Sequence, residues 1–144
     1  DLFCGLGNFT LALATKAGSV IGVEGDKSLT DWAGRNAEFN NIKNVEFHCA
    51  DLTQDQKDAP WMNQAYDAIL IDPPRSGAIE MMPYLGALAP KKILYVSCHP
   101  ATLARDLAVL TSEYPYELIT AGVMDMFPHT AHVESMALLV RKDS

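Results

Sequence analysis

The chain has 144 residues, a formal net charge of −7, 49% hydrophobic residues and 20% charged residues. That size and balance suit one soluble domain with a real core. The acidic excess argues against this segment alone gripping a nucleic-acid backbone, because phosphate contacts need Lys and Arg. No apolar run is long enough to span a bilayer, nothing reads as a signal peptide, and no obligate protein partner is evident.

Asp1-Leu2-Phe3 reads as the end of a strand whose first residues are missing, so a fragment is expected, the C-terminal domain of a longer protein. Gly5 and Gly7 follow and allow a tight turn with close backbone approach to a ligand. An apolar helix begins near Phe9 and ends near Gly18. The glycine pair falls short of the dinucleotide fingerprint, because Thr10 stands where the third glycine belongs. Ser19 to Glu24 is a buried strand ending in an acid, about 20 residues past the turn, where a carboxylate can take the hydroxyls of a ribose.

Asp26 to Asn40 reads as a helix with Leu29, Trp32, Ala33 and Phe39 facing inward. A third strand, Val45 to Cys49, leads to Asp51, which can either accept an adenine amine or cap the next segment. Residues 52 to 65 are polar and interrupted by Pro60, so a loop or short helix is expected. The strand from Ala65 runs into Asp72-Pro73-Pro74-Arg75, where two prolines stop it and stiffen the turn. Asp72 and Arg75 therefore project from a fixed backbone, which suits an orienting role.

Ala78 to Ala89 reads as a helix with its methionines in the core. Lys92 to Val96 is a buried strand. From Pro100 onward Leu103, Leu107 and Leu110 recur at helical spacing. Cys98 thus falls between a strand's C-terminal end and a helix N-terminus, which favours a thiolate and makes it a candidate nucleophile. The competing reading is a small buried hydrophobe. Tyr116 to Met126 is an irregular strand, broken at Gly122, and Met136 to Arg141 is a final strand able to pair antiparallel. Glu134 stands at its start, after a Pro-containing loop able to fold over the Cys98 edge. His129 and His132 lack a third ligand, so no metal is expected. Alternating strands and helices imply an α/β fold, a doubly wound and mostly parallel sheet.

Taken together, these segments resemble the RNA (uracil-5-)-methyltransferases. Residues 1–14 look like their DLFCGxGxFTLxLA loop, and residues 72–75 like their DPPR motif. Residues 97–106 are similar to SCNPATLARD, and residues 127–134 to the motif ending in a glutamate. "ATLARDL" and "FPHTAHVES" favour the 23S rRNA branch over the tRNA branch. The resemblance implies a Rossmann-like class I fold using S-adenosylmethionine, with residues 1–144 as the catalytic domain. It also implies that RNA-binding regions and an iron–sulfur cluster lie ahead of this segment. The implied roles are Cys98 as nucleophile toward uracil carbon 6, Glu134 as base, and Asp72 and Arg75 orienting the base. Phe3, Gly5, Gly7, Asn8, Glu24, Asp51 and Asp72 would surround the cofactor. His99 departs from the family's usual Asn. A nicotinamide-dependent oxidoreductase, an amino-methyltransferase acting on adenine or cytosine, and a fragment that binds cofactor without turnover are the rival readings.

Overall fold

The computed structural model describes residues 1–126 and 128–142. Its elements run α1 (Asn8–Ala14), β1 (Val20–Glu24), α2 (Lys27–Phe39), β2 (Val45–Cys49), β3 (Ala68–Ile71), α3 (Met82–Leu88), β4 (Lys92–Ser97), α4 (Pro100–Glu113), β5 (Tyr116–Met124) and β6 (Glu134–Arg141). One-turn 3-10 helices at Pro60–Met62 and Ile79–Met81 occupy the connections. The helix read from Ala78 to Ala89 is therefore split, with its 3-10 turn handing over to α3 near Pro83.

β1 pairs β2 in parallel, and β3, β4, β6 and β5 form a four-stranded ladder in that order. Leu2 joins the two halves, bridging Val23 on one side and Ile71 on the other. Its N–H donates to the Leu70 carbonyl at 2.9 Å and its carbonyl accepts from Asp72 N–H at 3.2 Å. The order is thus β2, β1, Leu2, β3, β4, β6, β5, with the chain reversing direction of travel at Leu2. In open α/β sheets that reversal opens the ligand crevice at the strands' C-terminal ends. β6 is antiparallel to both neighbours.

The core lies beneath β3 and β4, where Ile71, Met81, Met82, Leu85, Ile93, Tyr95, Leu110 and Leu139 are fully buried. The methionines are core, as their spacing implies. Three local readings need correction. The buried face of α2 is Thr30, Ala33 and Ala37, whereas Trp32 and Phe39 are 52% and 87% exposed. Small residues are needed there, because a Cβ on Gly7 would lie only 3.3 Å from the Ala33 Cβ. Trp32 instead lies flat under the Arg35 guanidinium, 5.0 Å from the ring centre, a cation–π contact. α1 stops at Ala14, short of the expected end near Gly18, and it turns Thr10 and Ala14 inward while Phe9 and Leu13 stay partly exposed. β5 runs unbroken through Gly122, and its irregularity is a register shift between Leu118 and Thr120.

Candidate active site

The C-terminal edge collects the side chains singled out above. Cys98 occupies the junction between β4 and α4 and is half-buried. Ser97 closes this junction: its hydroxyl accepts from His99 N–H at 3.0 Å and donates to the His99 carbonyl at 3.1 Å. His99 is the N-cap of α4, its Nδ1 accepting from Thr102 N–H at 3.4 Å. An Asn side chain offers an acceptor for the same job, so His99 preserves the helix start.

The antiparallel ladder brings Glu134 to the same place. Val96 pairs with Met136 and Ser97 with Ser135, so Cys98 and Glu134, the residues next to that last pair, stand at the same end of the ladder. Asp72 follows β3 and its carboxyl is held above the usual carboxylate range, first by burial and then by the charge of Glu134. That coupling places a second acid within electrostatic reach of Glu134. Pro73 is buried while Arg75 is exposed, so the stiff turn carries its guanidinium into solvent at the same edge. Cys98, Glu134 and Asp72, which are far apart in sequence, therefore stand along one edge of the sheet, with Arg75 exposed on the turn that follows Asp72.

On the other side of the reversal point, Phe3 adopts a left-handed φ of 61°, costly for a side chain with a Cβ. The strain swings the chain away from the sheet into the glycine turn. Gly5 has φ 53° and Gly7 φ 83°, the latter capping α1. A Cβ on Gly5 would meet nothing within 4 Å, so space lies open above this edge. Glu24 reaches back across it, its two oxygens accepting from Gly5 N–H at 2.9 Å and Asp26 N–H at 3.0 Å. Asn8, the first residue of α1, is exposed beside the turn. Asp51 is exposed and one of its oxygens accepts from both the N–H and the hydroxyl of Thr53, at 3.0 and 2.7 Å. Its local turn role is thus visible, and those bonds hold its carboxyl below the ordinary range.

The remaining cysteines behave differently from Cys98. Cys4 is buried, and burial first, then Glu24, pushes its thiol up to about 11. Cys49 is exposed at the end of β2. His129 and His132 are both exposed. Among the described residues no group of three His, Cys, Asp or Glu side chains could hold a metal ion. A cavity of about 670 Å³ opens at the opposite edge, between the starts of β1 and β3, lined by Lys16, Ser19, Ala68 and Lys92 among others. None of the chemistry-bearing side chains lines it.

Thr102 and Asp106 escaped the sequence reading. Asp106 is fully buried, and lies three residues after Leu103 and four before Leu110. A lone acid inside the apolar stripe of α4 was the signal that something buried must answer it.

The strand order and the glycine turn beneath the reversal point define a Rossmann-like, class I S-adenosylmethionine-dependent methyltransferase fold. Magnesium protoporphyrin IX methyltransferase from Synechocystis shares this fold at a TM-score of 0.72 and 18% identity, over 99% of this chain and 68% of that one. More narrowly, the chain belongs to the tRNA (uracil-5-)-methyltransferase family, whose sequence model matches residues 1–142. It is similar to the 23S rRNA (uracil(1939)-C(5))-methyltransferase RlmD of Xanthomonas axonopodis pv. citri, 56% identical over 99% of this chain. The protein of the same name from Xylella fastidiosa is 57% identical over 98% of it. The tRNA (uracil-54, C5)-methyltransferase of Pyrococcus abyssi, solved with S-adenosyl-L-homocysteine, superposes at a TM-score of 0.83 with 34% identity, over 97% of this chain and 33% of that one. The chain spans about a third of the length of the curated relatives it matches, 32% of each.

Proposed function

We propose that this chain is the catalytic domain of an enzyme that methylates carbon 5 of a uridine in 23S rRNA, in a cytoplasmic setting, using S-adenosylmethionine. The observation that supports the reading is the ladder between β4 and β6, which ends beside Cys98 and Glu134, together with the electrostatic coupling of Asp72 to Glu134. The identity of 54–57% to proteins named for 23S rRNA, against 34% for the tRNA enzyme, supports the rRNA branch.

Uracil carbon 5 is a poor nucleophile. Addition of the Cys98 thiolate to carbon 6 pushes the ring's electrons onto the carbonyl oxygen at position 4, giving an enolate. Covalent catalysis of this kind divides one difficult step into easier ones. Arg75 stabilises the oxyanion in this scheme, and Asp72 orients the ring. When bound, S-adenosylmethionine would supply the methyl group on its sulfonium, the methyl–sulfur bond breaking as carbon 5 takes the methyl and S-adenosylhomocysteine leaving as the neutral thioether. Glu134 then takes the proton from carbon 5, the ring double bond re-forms, and the Cys98 thiolate leaves. Phe3, Gly5, Gly7, Asn8, Glu24, Asp51 and Asp72 surround the cofactor, the open space at Gly5 being where its methionine end fits. The target uridine must leave its stack to reach the crevice. The chain's net charge of −7 assigns most of the RNA grip to regions beyond it.

The test is the full-length protein mixed with S-adenosylmethionine and RNA carrying 5-fluorouridine, whose fluorine cannot be abstracted as a proton once carbon 5 has been methylated. A covalent complex through Cys98, seen by mass spectrometry and abolished in Cys98→Ala, is the expected result. Glu134→Gln should accumulate an adduct on ordinary RNA, because release is blocked. Wild-type protein that binds RNA and S-adenosylhomocysteine yet yields no trapped complex would sink the reading. The nicotinamide rival finds no support in the family match, and calorimetric binding of NAD in place of S-adenosylhomocysteine would revive it.

A further inference from the structure

One face of α4 carries Thr102, Arg105 and Asp106, spaced three and four residues apart, and all three reach the turn that follows Asp72-Pro73-Pro74. The Thr102 hydroxyl stands 3.0 Å from the Arg75 carbonyl and 3.1 Å from the His99 carbonyl, its one proton shared between the turn and the start of its own helix. Arg105 donates through a terminal nitrogen to the Ser76 carbonyl at 2.9 Å. Asp106 accepts from Ala78 N–H at 2.7 Å. The same carboxylate takes the Tyr95 hydroxyl at 2.5 Å and Arg105 Nε at 2.8 Å, so β4 and α4 are tied into the contact. Gly77 seals it. With φ 77°, a Cβ there would stand 2.6 Å from the Arg105 terminal nitrogen, 2.7 Å from an Asp106 oxygen and 3.1 Å from the Thr102 Cβ.

We infer that Thr102, Arg105 and Asp106 are positioning residues, a three-point clasp by which the helix that begins beside Cys98 fixes the turn bearing Asp72 and Arg75. The inference rests on the uracil chemistry proposed above. The clasp grips backbone atoms of residues 75–78, so it sets where the Arg75 guanidinium starts without competing for that guanidinium. A single rigid body then carries the attacking sulfur and the groups that receive charge from the ring. Misplacement by a fraction of an ångström costs rate more than binding. The clasp bonds residues 75–78 and makes no hydrogen bond to the glycine turn or to Glu24, so its one link to the cofactor side runs through Asp72.

Thr102→Val removes the hydroxyl and keeps the shape, and Thr102→Ser restores it. Arg105→Lys keeps a cation beside Asp106 and shortens the reach to Ser76. In the full-length protein, Thr102→Val and Arg105→Lys should each slow adduct formation on 5-fluorouridine RNA by about tenfold, the scale of one hydrogen bond. KM for RNA and the S-adenosylhomocysteine dissociation constant should stay within about twofold, and Thr102→Ser should recover the wild-type rate. Amide exchange at Gly77 and Ala78 should accelerate in Thr102→Val. Variants that react at the wild-type rate beside a reacting wild type overturn the clasp alone. A fall in rate matched by an equal loss of cofactor affinity, or one that Ser does not rescue, also overturns it, since general loosening then explains the loss. A wild-type protein that forms no adduct overturns the reaction on which the inference rests, whatever the variants do.

Discussion

The two sides of the crevice are held together in different ways. On the glycine-turn side the polar contacts are fewer and mostly at exposed groups: Asp51 binds Thr53, Glu24 binds Asp26 and Gly5, and Asn36 reaches the Leu6 carbonyl. On the Cys98 side the contacts cross between distant elements, from α4 to residues 75–78, and from β4 to β6. A mobile ligand that must enter and leave is met by a lightly tied, partly exposed rim. Cys98 and the turn after Asp72, the proposed nucleophile and ring-orienting groups, belong to a cross-braced block. Precision is concentrated where bonds are made and broken.

Asp106→Ala should break that contrast most severely. It strips the partner from Ala78 N–H, the Tyr95 hydroxyl and Arg105 in a fully buried site, costing about 3–5 kcal/mol in denaturant unfolding. A loss below about 1 kcal/mol would mean that the cross-bracing is incidental. Next, Glu24→Ala should weaken S-adenosylhomocysteine binding by about tenfold in calorimetry, since it removes a charge-assisted contact, with little change in melting temperature. A large stability loss there would erase the difference between the two sides.

A subtler effect sharpens the comparison. Asp72 has its carboxyl raised above the ordinary 3.8 by burial and by Glu134. A raised carboxyl favours folding below the ordinary value, and that advantage is lost as pH rises through the folded value. Glu134→Gln removes the repulsion, so its melting temperature should exceed wild type at pH 7. The two curves should converge as pH falls toward the ordinary carboxylate range, because Asp72 is then protonated in both. The smallest effect is at the surface. Phe39→Ser should change stability by no more than about 0.5 kcal/mol, because the ring is already 87% exposed.

The strand ends were legible because each carries its own stop: acids after β1 and β3, a Pro-Pro pair after Asp72, a Ser-Cys turn after β4. The doubly wound parallel order followed from alternation, and Cys98 from its place between strand and helix. Apolar size alone points the rings of α2 inward, and the structure turns them out. The helix face against Gly7 takes small residues, Ala33 among them, so the large rings lie outside. The α4 contacts were invisible for another reason. They end on the carbonyls of Arg75 and Ser76 and the N–H of Ala78, and backbone atoms leave no residue type in the sequence to recognise. The Cys98–Glu134 juxtaposition needed a register, which an apolar pattern constrains only to one face or the other.

That register separates two kinds of evolutionary change. β6 zips onto β4 and β5 from Glu134 inward. The connection between β5 and β6 can be lengthened or exchanged without sliding the ladder, whereas one residue inserted within 135–141 would turn every side chain beyond it to the wrong face. Selection can therefore redraw that connection while the end of the ladder beside Cys98 and Glu134 keeps its place.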